Sequence, residues 1–244
     1  MTKIGIGIGV NSLRGGAFSP TNISGLAVWF DPADTDNMTL ETINPGWNGN
    51  GQYVQKWTDK IGGAQVQEVT DAWQPFYDSV NAKLVCDINQ RLQAINAPLT
   101  GLDNAITVAF LVKRNNPATD GSTVFELHDG STNGRKQQFR ADGDIRFMSN
   151  AGIDFQANND FTDVTNWNTI FMIYNDASSE LFRENVSKAT GTSANDSGLN
   201  QLELICSRTY GDKLDGSLGD FLIYNKALSS DERGKLQTWL DTRK

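Results

Sequence analysis

Apolar positions in this chain fall in short runs separated by Gly, Asn, Asp and Ser, a rhythm of strands and turns. The densest run, residues 105–113 (AITVAFLVK), is rich in β-branched and aromatic side chains and reads as a central strand. Residues 26–30 (LAVWF) make a first strand, stopped by Asp31-Pro32 because proline has no N–H to give to a ladder. Residues 54–60 alternate, which predicts Val54 and Lys56 on one face and Gln55 and Trp57 on the other. Residues 83–87 and 93–95 extend the sheet. Residues 123–127, 137–140, 144–148 and 153–155 follow, with Asp142-Gly143 marking a hairpin. Residues 166–174, 180–185 and 202–206 complete the series, while the rest of 35–60 and residues 72–77 read as irregular. About ten to thirteen closely spaced strands without an internal repeat favour a two-sheet antiparallel sandwich over a propeller or solenoid.

The two ends carry their own patterns. Near the C-terminus Gly216 and Gly219, flanked by Asp215 and Asp220, predict a turn leading into the buried strand 221–224. Ser229 and Glu232 then form a capping box, and Leu236, Trp239 and Leu240 lie on one face of the short helix that follows. At the N-terminus Ile4, Ile6, Ile8 and Val10 alternate with glycine. That alternation gives an extended arm over residues 1–17, ordered by pairing with its own sheet edge or a neighbouring subunit, or else a flexible leader. The glycines do not make a phosphate-binding loop, because Ser12 stands where the third would fall. Residues 18–244 form the domain proper.

Composition narrows the classes. The length of 244 residues suits one large all-β unit, and the net charge of -8 argues against a binder of nucleic-acid backbones. No apolar run reaches the ~18 residues of a membrane span. Lys3 is followed by Ile-Gly alternation rather than an apolar core with a cleavage site, so no signal peptide is expected and the chain is expected to stay in, or be packaged from, a cytoplasm. Cys86 and Cys206 each sit in an apolar run and read as small buried thiols, with a disulfide between them left open.

Several of these residues carry a family likeness. Asp215, Gly216, Gly219, Asp220, Tyr224, Asn225, Leu228, Ser229, Glu232, Trp239 and Leu240 together resemble the closing segment of the concanavalin A-like laminin-G superfamily. The phrase at residues 23–34 (ISGLAVWFDPAD) resembles the opening of laminin-G-like domains in phage and bacterial surface proteins. The likeness spans roughly residues 18–242 and implies a concanavalin A-like jelly roll. It also implies a non-enzymatic bacteriophage virion protein, a capsid or tail decoration anchored through Ile4, Ile6, Ile8 and Val10. The implied partners are the major capsid or tail proteins of the particle and other copies of the chain, with neither nucleic acid nor membrane. A glycan-binding host-attachment module is the alternative, and a glycoside hydrolase stands behind both.

Candidate chemistry is sparse. The Glu-x-Asp-x-x-Glu run that glucanases of this fold typically show is missing, and the nearest acidic pairs, Glu180/Glu184 and Asp142/Asp144, read as solvated turn charges. His128 is the only histidine, at a strand end, where it reads as a loop residue or a ligand contact. Zinc lacks ligands; calcium would draw on loop oxygens, with Asp87, Asp154, Asp160, Asp212 and Asp215 as candidates. Trp47, Tyr53, Trp73, Tyr77 and Tyr210 lie in or beside loops and, with His128, are the candidate ligand contacts, aromatic faces suited to sugar rings. Trp29, Trp57, Trp167 and Trp239 fit the core.

Overall fold

The runs of alternating and continuous apolar residues become antiparallel strands. A computed structural model describes residues 17–42, 52–87, 89–96, 99, 102, 105–116, 120–130, 134–149, 152–162, 165–193, 198–207 and 212–244. In chain order these hold β1 (Leu26–Phe30), β2 (Met38–Glu41), β3 (Gln52–Thr58), β4 (Gln65–Gln67), β5 (Phe76–Asp78), β6 (Lys83–Cys86), β7 (Gln93–Asn96) and β8 (Ile106–Arg114). They continue with β9 (Phe125–His128), β10 (Gly134–Phe139), β11 (Ile145–Ser149), β12 (Gly152–Ala157), β13 (Asn168–Tyr174) and β14 (Ser179–Arg183). Last come β15 (Val186–Gly191), β16 (Gln201–Leu204), β17 (Gly216–Tyr224) and the helix α1 (Ser230–Asp241).

The result is a two-sheet antiparallel sandwich. The larger sheet runs β15-β14-β13-β8-β17-β6-β5-β3-β4-β7, with β1 on β17 and β2 on β3. The smaller runs β12-β11-β10-β9-β16. Reciprocal backbone hydrogen bonds between Leu92 and Leu204, at 3.1 and 2.9 Å, tie the segment entering β7 to β16, so the long sheet curls round to meet the short one.

Three neighbouring strands explain the continuous apolar runs. On β8, Ile106, Val108, Phe110 and Val112 face the core between the sheets, while Ala109 and Leu111 face a second cluster beneath the helix. β13 divides the same way, with Ile170, Met172 and Tyr174 inward and Phe171 and Ile173 outward. On β17, Phe221 and Ile223 point in and Leu222 and Tyr224 point out. A strand buried on both faces has no polar side to alternate. The helix closing the outer face starts at the expected capping box: Ser229 N–H donates to Glu232 Oε2 (3.0 Å), and Glu232 N–H donates to Ser229 Oγ (3.3 Å). It lays Leu236 and Leu240 on the sheet, and Trp239 meets Trp29 edge-on at 5.5 Å. A polar clasp joins the chain end to the sheet, with Arg243 bonded to both Asp220 and Asp31 and its carbonyl accepting from Lys83 Nζ (2.7 Å).

The structure corrects several expectations. Gly216 and Gly219 belong to a strand, not a turn. A Cβ at Gly216 would lie 2.2 Å from the Lys113 carbonyl oxygen, and one at Gly219 would lie 2.8 Å from Leu111 Cβ, so both glycines serve close approach within the sheet. Val54 and Trp57 are both in the core, because a bulge opposite Thr39 and Leu40 shifts the alternation along β3. Strands β2, β4, β5 and β15 go beyond the strands the sequence predicts; they are short or polar, and β15 is a largely exposed edge. Cys86 and Cys206 are buried and unpaired. The arm residues Ile4, Ile6, Ile8 and Val10 lie outside the described residues.

Candidate functional site: a tryptophan beside an acidic groove

One of the loop aromatics stands out in solvent. Residues Asp71–Trp73 form a single 3₁₀ turn that leaves Gln74 extended before Pro75, the geometry a following proline favours. The turn holds Trp73 at the surface, 39% exposed. Its ring is not loose. The guanidinium of Arg91 lies 4.1 Å from the ring centroid, the Arg91 N–H donates to the Trp73 carbonyl (2.9 Å), and the Arg91 side chain is itself fixed by an ion pair with Glu68. Glu68 is buried and also accepts from the Thr70 N–H (2.8 Å). Sequence, turn and ion pair thus pre-set an aromatic platform.

The same turn borders a depression. Leu40, Glu41, Thr42 and Asp71 line a groove of about 470 Å³, with Asp71 opening the turn that Trp73 closes. Glu41 at the end of β2 accepts from the amides of Gln55 and Gln74, the latter at 3.1 Å, and enters no ion pair among the described residues. An apolar ring, aliphatic carbon and oriented carboxylate oxygens make a surface that can stack on a sugar ring and accept from its hydroxyls. A second depression of about 450 Å³, lined by Phe18, Ile23, Asp231, Glu232 and Lys235 among others, is less open to a new partner. Its charges are already engaged, Lys235 with Asp231 and Glu232 with Lys226.

The other candidate aromatics do not join Trp73. Tyr53 and Tyr77 are 2% and 5% exposed on β3 and β5. Tyr53 packs edge-on against Phe76, and the Tyr77 hydroxyl donates inward to the Pro32 carbonyl (2.9 Å). Neither presents a face to solvent: Tyr77 joins the core between the sheets, while Tyr53, next to the core residue Val54 along β3, is buried on the opposite face against Phe76. Trp47 and Tyr210 lie outside the described residues.

His128 is also buried rather than exposed on a loop. Its Nδ1 accepts from the Gly130 N–H (3.0 Å), which places the ring proton on Nε2, facing Glu203 Oε1 at 3.3 Å. Glu203 sits directly opposite Glu126 in the β16–β9 pairing, and Glu126 opposite Lys136 in the β9–β10 pairing. This facing acid pair is invisible in the sequence, because its members are strands apart. Burial pushes the Glu203 carboxyl up. The Cys206 thiol touches Glu203 rather than His128, and burial pushes it up too, so it is no nucleophile. Both carboxylates are buried, which closes the pair to solvent.

The pairs read from the sequence are turn braces. Asp144 is buried, not solvated, and accepts from Gln156 (2.9 Å) and the Asn159 N–H (2.9 Å); Glu184 accepts from the Thr169 N–H (2.7 Å). The five candidate calcium ligands do not converge: among the described residues no three acidic, His or Cys side chains gather within ligating reach. Asp87 caps its own turn, Asp154 takes the Ser149 hydroxyl, Asp160 holds Lys188 and Asp212 holds Lys136. This donor set does not fit a multidentate oxygen site.

Comparison with known proteins agrees with the geometry. The family model of laminin-G-like domains described as "Concanavalin A-like lectin/glucanases superfamily" matches residues 88–232, more than half of the chain. No curated protein matches. Among solved structures, Trypanosoma rangeli sialidase in complex with a difluorinated nononic acid aligns with TM-score 0.61 at 11% identity, over 91% of this chain and 33% of that one. This chain therefore spans about a third of the sialidase. Domain 4 of AbnA, an extracellular arabinanase from Geobacillus stearothermophilus solved with arabinotriose, aligns with TM-score 0.55 at 17% identity, over 87% of this chain and 98% of that one. The receptor binding domain of a botulinum neurotoxin C/D mosaic aligns with TM-score 0.58 at 11% identity, over 88% and 51%. At these identities the likeness is one of fold.

Proposed function

This chain belongs to the concanavalin A-like lectin/glucanases superfamily, and from that premise we propose that it is a non-catalytic carbohydrate-binding module that holds glycan on the exposed Trp73 ring and the groove bordering its turn. The observation that carries the reading is the pre-set ring of Trp73, exposed beside a groove of carboxylate oxygens while the candidate aromatics Tyr53 and Tyr77 are buried. Support also comes from the whole-domain likeness to an arabinanase domain solved with arabinotriose. The facing acids Glu126 and Glu203 are the natural place to look for hydrolysis, and their burial supports the non-catalytic reading. On this reading the module attaches the particle or protein that carries it to a polysaccharide surface.

A glycan array followed by titration calorimetry on the best hit tests the proposal. Trp73→Ala is expected to weaken binding at least about tenfold, the scale of one lost stacking contact of about 1.4 kcal/mol, with no change in melting temperature beyond that of a surface substitution. Equal affinity in wild type and variant would remove Trp73 as the site.

A further inference from the structure

Resting on the reading of Trp73 as the sugar platform, we infer that the buried carboxylate of Glu203 is a positioning residue for that ring, acting through Arg91, and that proton uptake at Glu203 loosens the ring's hold on glycan. The geometry begins where the two sheets meet. Leu92 and Leu204 exchange both backbone hydrogen bonds and both enter the core, so the residues before them, Arg91 and Glu203, share the opposite face on a cross-strand diagonal that a long side chain spans. Arg91 reaches outward from there. Its guanidinium stacks on the Trp73 ring, its Nε pairs with Glu68, and its backbone N–H holds the Trp73 carbonyl. Glu203 stands on the interior side. It is faced by Glu126 and His128 on β9, by Arg91 at the sheet junction, and by the Cys206 thiol just beyond its own strand; Glu126 in turn faces Lys136 on β10. Two carboxylates therefore bear on one guanidinium, Glu68 by contact and Glu203 from within. The Arg91 side chain is only 14% exposed, so its charge leans on such carboxylates more than on water.

Burial pushes the Glu203 carboxyl up, against the pull of the His128 N–H and of Arg91, so it takes its proton above the ordinary carboxylate range. Ionised, Glu203 helps keep the guanidinium in the seat from which it backs the indole. Protonated, it no longer does, and the ring gains freedom that glycan binding must remove again. Glycan affinity is therefore highest above the raised value and falls as pH drops through it. At the roughly 7–8 Å of such a diagonal, two unit charges in water-like surroundings attract strongly enough to move a linked equilibrium about two- to threefold.

The test titrates the whole chain, and Trp73→Ala beside it, with neutral oligosaccharides (arabino-, xylo-, manno- and galacto-oligomers) between about pH 4.5 and about pH 8, a range in which these sugars do not ionise. A second readout needs no ligand: the indole N–H resonance of Trp73, assigned by its loss in Trp73→Phe. The expected result is Trp73-dependent affinity that falls about two- to threefold toward the acid end, with the Trp73 indole signal shifting over the same window. In Glu203→Gln both transitions vanish, and the affinity stays near that of wild type at the acid end. His128→Gln, which removes a donor to Glu203, carries both transitions to higher pH. An indole signal that holds still across the window, or moves alike in Glu203→Gln, overturns the inference while Trp73-dependent binding still stands. So does a shifting indole signal whose glycan affinity ignores pH. If no oligosaccharide binds through Trp73, the reading beneath falls and takes the inference with it.

Discussion

Removing the charge of Arg243 puts the clasp at the chain end to a quantitative test. Asp220 on β17 is fully buried and accepts from three donors: Trp29 Nε1 at 3.2 Å, Arg243 Nε at 3.0 Å and Arg243 Nη2 at 3.3 Å. Asp31 shares Arg243 but keeps Lys60 (3.0 Å) and the Ala33 N–H (2.9 Å). Arg243→Met keeps an apolar stem and the carbonyl that takes Lys83, and deletes the guanidinium, which also lies over the Trp239 ring. Asp220 is then left without its cation and close enough to Asp31 to be repelled by it. Breaking a buried pair this way costs about 3–5 kcal/mol. The Arg243 side chain is 23% exposed, so water can replace part of it and about 2–4 kcal/mol is the expected loss. For a chain of this size that is a fall of roughly 5–15 °C in melting temperature.

Urea unfolding followed by tryptophan fluorescence at pH 7 and pH 5 reads this loss. Burial already pushes the Asp220 carboxyl up. Without Arg243 it rises further, so the folded variant binds a proton more readily than the unfolded chain. Its stability therefore declines as pH rises past the ordinary carboxylate range, and the deficit is larger at pH 7 than at pH 5. Asp220→Asn in the same background removes the stranded charge while its amide oxygen can still accept from Trp29, and should recover most of the loss. An Arg243→Met variant within about 0.5 kcal/mol of wild type at pH 7, or one that Asp220→Asn fails to rescue, would refute the charge argument.

Three further outcomes follow from the sheets and the turn between β3 and β4. Gly216→Ala should cost about 2–3 kcal/mol, because its methyl meets the backbone of Lys113 and strand β8 cannot yield cheaply. In the same urea-unfolding assay Gly63→Ala should cost only about 1 kcal/mol, since its methyl meets nothing within 4 Å and the penalty is the φ of +77°. Glu203→Gln should leave the fold intact and gain stability over wild type as pH rises from about 4.5 through the raised value of the buried carboxyl, the window in which wild-type Glu203 must give up a proton inside the protein. A difference between variant and wild type that does not grow across that window would place the Glu203 charge in solvent.

Long, doubly buried strands were legible because their composition leaves no alternative: β8, β13 and β17 read as apolar runs and are apolar on both faces. The helix start was legible because a capping box is a local device of four residues. Strand count was less so. β4 and β15 are polar and short, and it is pairing with the strand just before each of them, rather than an apolar pattern of their own, that makes them strands. Gly216 and Gly219 misled for a related reason, since turn chemistry and close strand packing both call for glycine. Trp73 was nameable from its loop, but nothing local distinguished it from Tyr53 and Tyr77, whose rings are covered only once β3 and β5 pair. The facing Glu126 and Glu203, and the amide brace on Glu41, depend on strand neighbours and carry no spacing signal. The virion setting rested on the family likeness and on residues 1–17, of which 1–16 lie outside the described residues.

The central strands act as a party wall between two rooms. Because the helix furnishes one room and the smaller sheet the other, repacking on one side changes the second only by pushing the wall itself. Drift in the C-terminal helix can therefore proceed without redecorating the space between the sheets.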